Sequence, residues 1–88
     1  MERKLHERVA NAPEGSYTKR LFDDRDLLAS KITEEAGELN EAVERGDITH
    51  EAADVLFFLM TRLAAEGIPL ADVERVLDER ALKVTRRD

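Results

Sequence analysis

Two groups of acidic residues give this 88-residue sequence its clearest chemical signal. Glu34, Glu35 and Glu38 form the first group, and Glu51 and Asp54 form the second. On an α-helix, residues three positions apart lie about 60° apart around the axis. Glu35 and Glu38 therefore point to one side of their helix, and Glu51 and Asp54 point to one side of the next, so each pair can bind one ion.

The position of the second group favours a metal site over a simple acidic surface. An acidic triplet alone is usually a solvated helix face that pairs with a neighbouring lysine. Glu51 and Asp54, however, border the apolar run Val55 to Met60, where helices rarely place carboxylates. Four like charges that converge at a helix interface repel one another and lose solvation unless protons or a cation neutralise them. We therefore expect a divalent cation between the two helices.

The ligand types indicate which ion and which chemistry to expect. Carboxylate oxygens suit Mg²⁺, with Mn²⁺ as a substitute, better than Zn²⁺. The sequence has no cysteine, which excludes thiolate metal sites and a thiol nucleophile. Lys31, one turn before Glu35, would place an ammonium group where the phosphates of a metal-bound nucleotide extend, and the basic tail of Arg80, Lys83, Arg86 and Arg87 is a second candidate. The pattern favours phosphoryl chemistry on a small nucleotide.

Helices must position these residues, because no segment shows the alternation of a strand. Hydrophobic residues make up 42% of the chain but aromatic residues only 5%, which favours aliphatic helix packing. A first helix is predicted from Met1 to about Asn11, followed by a brief helical turn that Ser16 caps and that carries Leu21 and Phe22. A long helix should begin at Asp24 or Asp26, reach Arg45 and stop at Gly46. The next helix should run from Asp47 or Thr49 to Gly67, and the last should begin at Pro69 or Leu70. We expect one all-α domain over residues 1–88, a four- to five-helix bundle.

The helix that carries Glu51 and Asp54 predicts a dimer. Its apolar residues point in nearly every direction, so we expect it to be central and buried. A central helix in a small bundle is covered on only some of its sides, which leaves Phe57, Phe58 and Met60 with too few neighbours in one chain. We therefore predict a homodimer whose interface includes the Val55 to Leu63 segment.

The net charge of −6 and the isoelectric point near 4.9 argue against some partners. An acidic surface repels nucleic acid and anionic lipid, so we expect neither as a partner. The longest apolar run, Val55 to Met60, is far shorter than the roughly 20 residues that span a bilayer. The charged start of the sequence does not resemble a signal peptide, and we expect a cytoplasmic protein.

The acidic motifs and several other segments of the sequence resemble those of a known family. Glu-x-x-Glu on one helix followed by Glu-x-x-Asp on the next resembles the metal-binding signature of the all-α nucleoside triphosphate pyrophosphohydrolases, the MazG-like superfamily. The segments that resemble the phosphoribosyl-ATP pyrophosphohydrolases of histidine biosynthesis are Pro13-Glu14-Gly15-Ser16-Tyr17-Thr18, Lys31-x-x-Glu34-Glu35-x-x-Glu38, Glu51-x-x-Asp54, Gly67-Ile68 and Asp72-Val73. The resemblance covers most of residues 12–87, and residues 81–87 are similar to the versions within multifunctional histidine-pathway proteins.

The resemblance implies an activity and a set of residue roles. The activity is Mg²⁺-dependent hydrolysis of 1-(5-phosphoribosyl)-ATP to 1-(5-phosphoribosyl)-AMP and pyrophosphate. The implied metal ligands are Glu35, Glu38, Glu51 and Asp54. The implied catalytic residues are Glu34, which would position or deprotonate water, together with Glu35 and Lys31, and the implied substrate contacts are Lys31, Tyr17, Lys83 and Arg86. Phe57-Phe58 stands where many members of the family have Tyr-His.

Two alternatives to this activity stay open from the sequence. The carboxylate pattern is shared with dUTP- and dCTP-cleaving relatives, so a general (d)NTP pyrophosphohydrolase is the first alternative. A non-catalytic helical dimerisation module is the second. The cyclohydrolase domain that is often fused to this family does not occur in the sequence, so we expect the next pathway step to reside on a separate phosphoribosyl-AMP cyclohydrolase.

Overall fold

The computed structural model describes residues 1–12 and 15–87, without the side chains of Arg8, Ala10 and residues 82–87. Its five helices are α1 (Glu2–Asn11), α2 (Tyr17–Asp23), α3 (Arg25–Glu41), α4 (Arg45–Ala65) and α5 (Leu70–Arg87). None of the described residues lies in a strand. The all-α prediction is therefore confirmed. No helix in the described part of the chain combines the length and the apolar character needed to span a bilayer.

Side-chain caps define the two helices that lead into the acidic region. The Ser16 hydroxyl accepts a hydrogen bond from the Lys19 backbone N–H at 3.1 Å, which begins α2. The Asp24 carboxylate accepts one from the Leu27 N–H at 3.0 Å and begins α3. Asp24 also ends α2, because its own N–H donates to the Arg20 carbonyl. The predicted Ser16 cap is confirmed, and of the two candidate caps of α3 the structure selects Asp24.

The predicted boundary between α3 and α4 is wrong by several residues. We predicted that the long helix would reach Arg45 and stop at Gly46, but α3 ends at Glu41 and Gly46 lies in the first turn of α4. Extended backbone at residues 42 and 44 separates the helices. The Ile48 N–H then donates to the Glu44 carbonyl at 2.9 Å and closes the first turn of α4 before the predicted start at residue 47 or 49. Val43, which we predicted to continue the apolar seam of α3, is 81% exposed in this connection.

The turn after α4 follows the prediction. Gly67 has a φ of +69°, a left-handed conformation that glycine adopts without strain. Its N–H donates to the Ala64 carbonyl at 3.0 Å, and the Ile68 N–H donates to the Leu63 carbonyl at 2.9 Å, which satisfies carbonyls at the helix end. The carboxylate of Glu2 accepts a hydrogen bond from the Leu70 N–H and so connects α1 to the start of α5.

The core lies where α2, α3 and α4 meet. Leu21, Leu28 and Phe58 are buried together, and Leu27, Ile32 and Phe57 pack against them. Buried Thr61 satisfies its hydroxyl by donating to the Phe57 carbonyl at 2.7 Å. The contact between α3 and α4 is the most extensive between two helices of the described chain, and α1 and α2 also pack against α4. Packing between α3 and α4 therefore sets the register of the two acidic groups.

The expected burial of α4 is incomplete in a single chain, but the prediction that Phe58 has too few neighbours there is wrong, because Phe58 is 7% exposed within the core. Leu56 is 54% exposed and Leu59 is 40% exposed, because α1, α2 and α3 cover only part of the helix surface. The predicted apolar seam of α5 is also open, with Leu77 56% exposed. Each of these faces loses contact with water only if something outside the described chain covers it. The homodimer stays a prediction.

Candidate metal centre

The packing of α3 against α4 brings both acidic groups together. Carboxylate oxygens of Glu35, Glu51 and Asp54 lie within 4.8 Å of one another, across the two helices. Oxygens of Glu34, Glu35 and Glu38 meet the same limit along α3. Glu35 belongs to both sets and therefore lies at the centre of the cluster. All four residues that we predicted as metal ligands lie at this place, together with Glu34.

Burial divides the cluster into an inner and an outer part. Glu35 is 8% exposed and Glu51 is half-buried, whereas Glu34, Glu38 and Asp54 are exposed. The Oε2 atoms of Glu35 and Glu51 are buried and have no hydrogen-bond partner in the described structure. A buried oxygen without a partner is costly, so native sites normally supply a donor or an ion. Two such oxygens on facing helices form a donor set that fits a hard divalent cation.

Electrostatics within the cluster favour protons or a cation over bare charges. A hydrogen bond with Glu38, burial and the negative charges of Glu38 and Asp54 raise the pKa of Glu35 to about 7. Burial, followed by a hydrogen bond with Glu38 and the nearby negative charges, also raises the pKa of Glu51. In the metal-free protein, protons shared among these carboxyl groups therefore reduce their repulsion. A divalent cation would neutralise the same charge at neutral pH, when those protons are lost.

Lys31 borders the cluster on the α3 side. Its ammonium nitrogen lies 3.3 Å from an oxygen of Glu34 and 4.0 Å from an oxygen of Glu35. The hydrogen bond with Glu34, helped by the charges of Glu34, Tyr17 and Glu35, raises the pKa of Lys31 against the opposing effect of burial. Tyr17 lies at the start of α2 and is exposed. Of the four predicted substrate contacts, Lys31 therefore lies at the cluster, and the contact of Tyr17 with substrate stays a prediction.

The other two predicted substrate contacts lie outside the described side chains. Lys83 and Arg86 belong to α5, whose backbone is described through residue 87, but their side chains are not. Their contact with substrate stays a prediction.

Sequence reasoning missed the contact between Lys31 and Phe58. The Lys31 ammonium lies 5.8 Å from the centre of the Phe58 ring. A signal existed, because Phe58 is four residues after Asp54 and seven after Glu51 and therefore shares the acidic face of α4. What the sequence lacked was the register of α3 against α4, which decides that Lys31 reaches this ring.

Comparisons with known proteins agree with these motifs. Residues 1–81 match the model of the family described as "Phosphoribosyl-ATP pyrophosphohydrolase". The histidine biosynthesis trifunctional protein of Kluyveromyces lactis is 59% identical over 87 residues, which cover 99% of this chain and 11% of that protein. The histidine biosynthesis bifunctional protein his7 of Schizosaccharomyces pombe is 48% identical, covering 99% of this chain and 21% of that protein.

A bacterial relative extends the same pattern. The histidine biosynthesis bifunctional protein HisIE of Bacillus subtilis is 40% identical over 84 residues, covering 91% of this chain and 40% of that protein. The chain thus spans about a tenth of the trifunctional fungal relatives and less than half of this bacterial one. No solved structure matches the chain at a significant level. Since the family match covers residues 1–81, almost the whole sequence, the chain belongs to the phosphoribosyl-ATP pyrophosphohydrolase family.

Proposed function

We propose that this chain hydrolyses the α,β phosphoanhydride of 1-(5-phosphoribosyl)-ATP, yielding 1-(5-phosphoribosyl)-AMP and pyrophosphate in histidine biosynthesis. Membership of the family supports the substrate, and the printed names of the relatives support the pathway. The observation that carries the proposal is the convergence of Glu35, Glu51 and Asp54 within 4.8 Å across α3 and α4. Such a cluster is expected for an enzyme that acts on metal-bound phosphates.

In this proposal the carboxylates of Glu35, Glu38, Glu51 and Asp54 hold Mg²⁺, with Mn²⁺ as a substitute. The two buried oxygens without partners, on Glu35 and Glu51, support this assignment, since a cation would satisfy both. A bound ion supplies charge that neutralises phosphate oxygens and lowers the pKa of the attacking water. The raised pKa values of Glu35 and Glu51 support this assignment, because they reflect crowded negative charge that a cation would offset.

The remaining roles fall to residues around the cluster. Lys31 contacts the phosphates, because an ammonium group has three N–H donors and its pairing with Glu34 leaves donors for phosphate oxygens. Glu34 lies on the exposed side of Glu35, where its carboxylate can orient the attacking water and accept its proton. Tyr17, exposed at the start of α2, contributes to substrate binding. The basic residues Lys83 and Arg86 of α5 complete the proposed substrate contacts.

The proposal extends to assembly and context. The exposed apolar residues of α4 and α5, Leu56, Leu59, Val76 and Leu77, support a homodimer. We propose a cytoplasmic enzyme that is functionally linked to a phosphoribosyl-AMP cyclohydrolase, which would act on its product. The relatives' names, which assign them to histidine biosynthesis, support a link to the neighbouring pathway steps.

A comparison of substrates tests this function. The purified protein is incubated with Mg²⁺ and either phosphoribosyl-ATP or one of ATP, dUTP and dCTP, and the products are separated by ion-exchange chromatography. We expect kcat/KM for phosphoribosyl-ATP to exceed that for each other nucleotide by at least about 100-fold. Equal rates across the panel would support a general nucleotide pyrophosphohydrolase instead, and no hydrolysis of any substrate would support a non-catalytic module.

A further inference from the structure

Phe58 presents a fixed aromatic ring to the ammonium group of Lys31. The nitrogen lies 5.8 Å from the ring centre, within the range of a cation–π contact. Phe58 is 7% exposed, because it packs with Leu21 and Leu28 in the core. Its ring also meets Phe57 edge to face, with the centres 5.1 Å apart and the planes at 76°. The ring is therefore held in place by neighbours that do not depend on Lys31.

The ring differs from the carboxylates that also attract Lys31. Glu34 and Glu35 lie 3.3 Å and 4.0 Å from the ammonium nitrogen, and an ion pair with either one directs an N–H toward a carboxylate. The face of an aromatic ring attracts the cation through its quadrupole without accepting a conventional hydrogen bond. Contact with Phe58 can therefore restrain the long Lys31 side chain while its N–H donors stay available to phosphate oxygens.

We propose that Phe58 is a positioning residue that holds the Lys31 ammonium group at the edge of the carboxylate cluster and thereby lowers the KM for the phosphate-bearing substrate. The claim about KM rests on the proposed function, whereas the claim about position does not. An ordered lysine gives up less conformational freedom when substrate binds, so the ring acts on binding rather than on the chemical step.

Graded fluorination of the ring separates its electrostatic effect from its packing. Mono-, di- and trifluorophenylalanine are incorporated at position 58, which weakens the negative face of the ring and changes its shape little. We expect KM for phosphoribosyl-ATP to rise stepwise to about two- to five-fold, with kcat nearly constant. The same series at Phe22, on α2, is the matched control and should leave KM unchanged.

A second series shows whether the effect passes through Lys31. In a Lys31→Met background, fluorination at position 58 should no longer change KM. A flat KM across the series in the otherwise unchanged protein would overturn the proposal. An equal rise in the Lys31→Met background would also overturn it, since the ring would then act through packing alone.

A spectroscopic measurement tests the position of Lys31 without any enzymatic activity. Because the Lys31 ammonium lies over the Phe58 ring, we expect the NMR signals of the adjacent ε-methylene protons to shift upfield. Phe58→Leu should remove the shift, and Phe22→Leu, on α2, should retain it. Signals at ordinary lysine positions in the unchanged protein would refute the contact. If the protein did not hydrolyse phosphoribosyl-ATP, the proposed function would fail, and this shift alone would decide the positioning claim.

Discussion

Replacing Asp54 by Asn should have opposite effects on activity and stability. The substitution keeps the shape of the side chain but removes one charge from the group of Glu35, Glu51 and Asp54. If Asp54 binds Mg²⁺, the variant should lose at least about 100-fold in kcat/KM, equivalent to about 2.7 kcal/mol of transition-state stabilisation. A purely structural carboxylate on an exposed position would show no such loss.

The same change should stabilise the metal-free protein. Carboxylate oxygens of Asp54 lie within 4.8 Å of those of Glu35 and Glu51. Asp54 is exposed, so the dielectric constant of water is appropriate, and each fully ionised neighbour at that distance costs about 0.9 kcal/mol. Asp54→Asn should therefore gain about 1–2 kcal/mol at pH 8, low salt and excess EDTA, which for a domain of this size raises Tm by roughly 4–16 °C. The gain should shrink at pH 5.5, where Glu35, with its pKa near 7, holds a proton.

Urea and thermal unfolding followed by circular dichroism measure this gain, and pyrophosphate release measures the activity. Asp78→Asn is the matched control, since Asp78 is an exposed carboxylate in the middle of α5 and its change alters the net charge equally. We expect the control to change neither quantity appreciably. If Asp54→Asn keeps near-normal turnover, Asp54 is not a metal ligand. If it loses stability at pH 8 without metal, the carboxylates of the cluster do not repel one another as argued.

Three further predictions follow from the same structure. Glu38→Gln should also lose at least about 100-fold in rate while its metal-free form stays folded, as judged by kinetics and circular dichroism; wild-type turnover would make Glu38 structural. Without metal, Glu35 should stabilise the folded protein at low pH, because its raised pKa means that the folded state holds the proton more tightly than the unfolded state. This contribution to the free energy of unfolding should be complete below pH 4.5 and should be lost as the pH rises through about 7. Urea midpoints in EDTA between pH 5 and 8.5 test this, and a rising midpoint would contradict it. Sedimentation at micromolar concentration should give a dimer that Leu59→Glu dissociates, because Leu59 lies on the open face of α4; an active, stable monomer of the unchanged chain would exclude the dimer.

Features that depend on neighbouring residues could be predicted from the sequence. The Ser16 cap and the left-handed Gly67 are local, since each is decided by bonds within a few residues. The end of α3 could not be predicted in this way. Val43 fits the helical period of the preceding apolar residues, but periodicity records which residues could share a face and not where the backbone leaves the helix. Gly46 misled for a related reason, because glycine without a positive φ fits in a helix.

The candidate site also has features that local sequence predicts and features that it does not. The pairs Glu35–Glu38 and Glu51–Asp54 could be predicted because three-residue spacing fixes their direction on a helix. Their convergence was also expected, because Glu51 and Asp54 border the apolar run of α4. The approach of Lys31 to Phe58 depends on how α3 lies against α4, which no local pattern specifies. The burial of Glu35 had a local signal, since it lies two turns after buried Leu28 and therefore shares its face.

The central claim, metal-dependent cleavage between the α- and β-phosphates, is tested most directly by ³¹P NMR of the reaction itself. Phosphoribosyl-ATP is followed with Mg²⁺ present, and EDTA is added before completion. The account predicts that phosphoribosyl-AMP and pyrophosphate appear in equal amounts and that EDTA stops both. Stepwise release of orthophosphate, or hydrolysis that continues unchanged after EDTA, would contradict it.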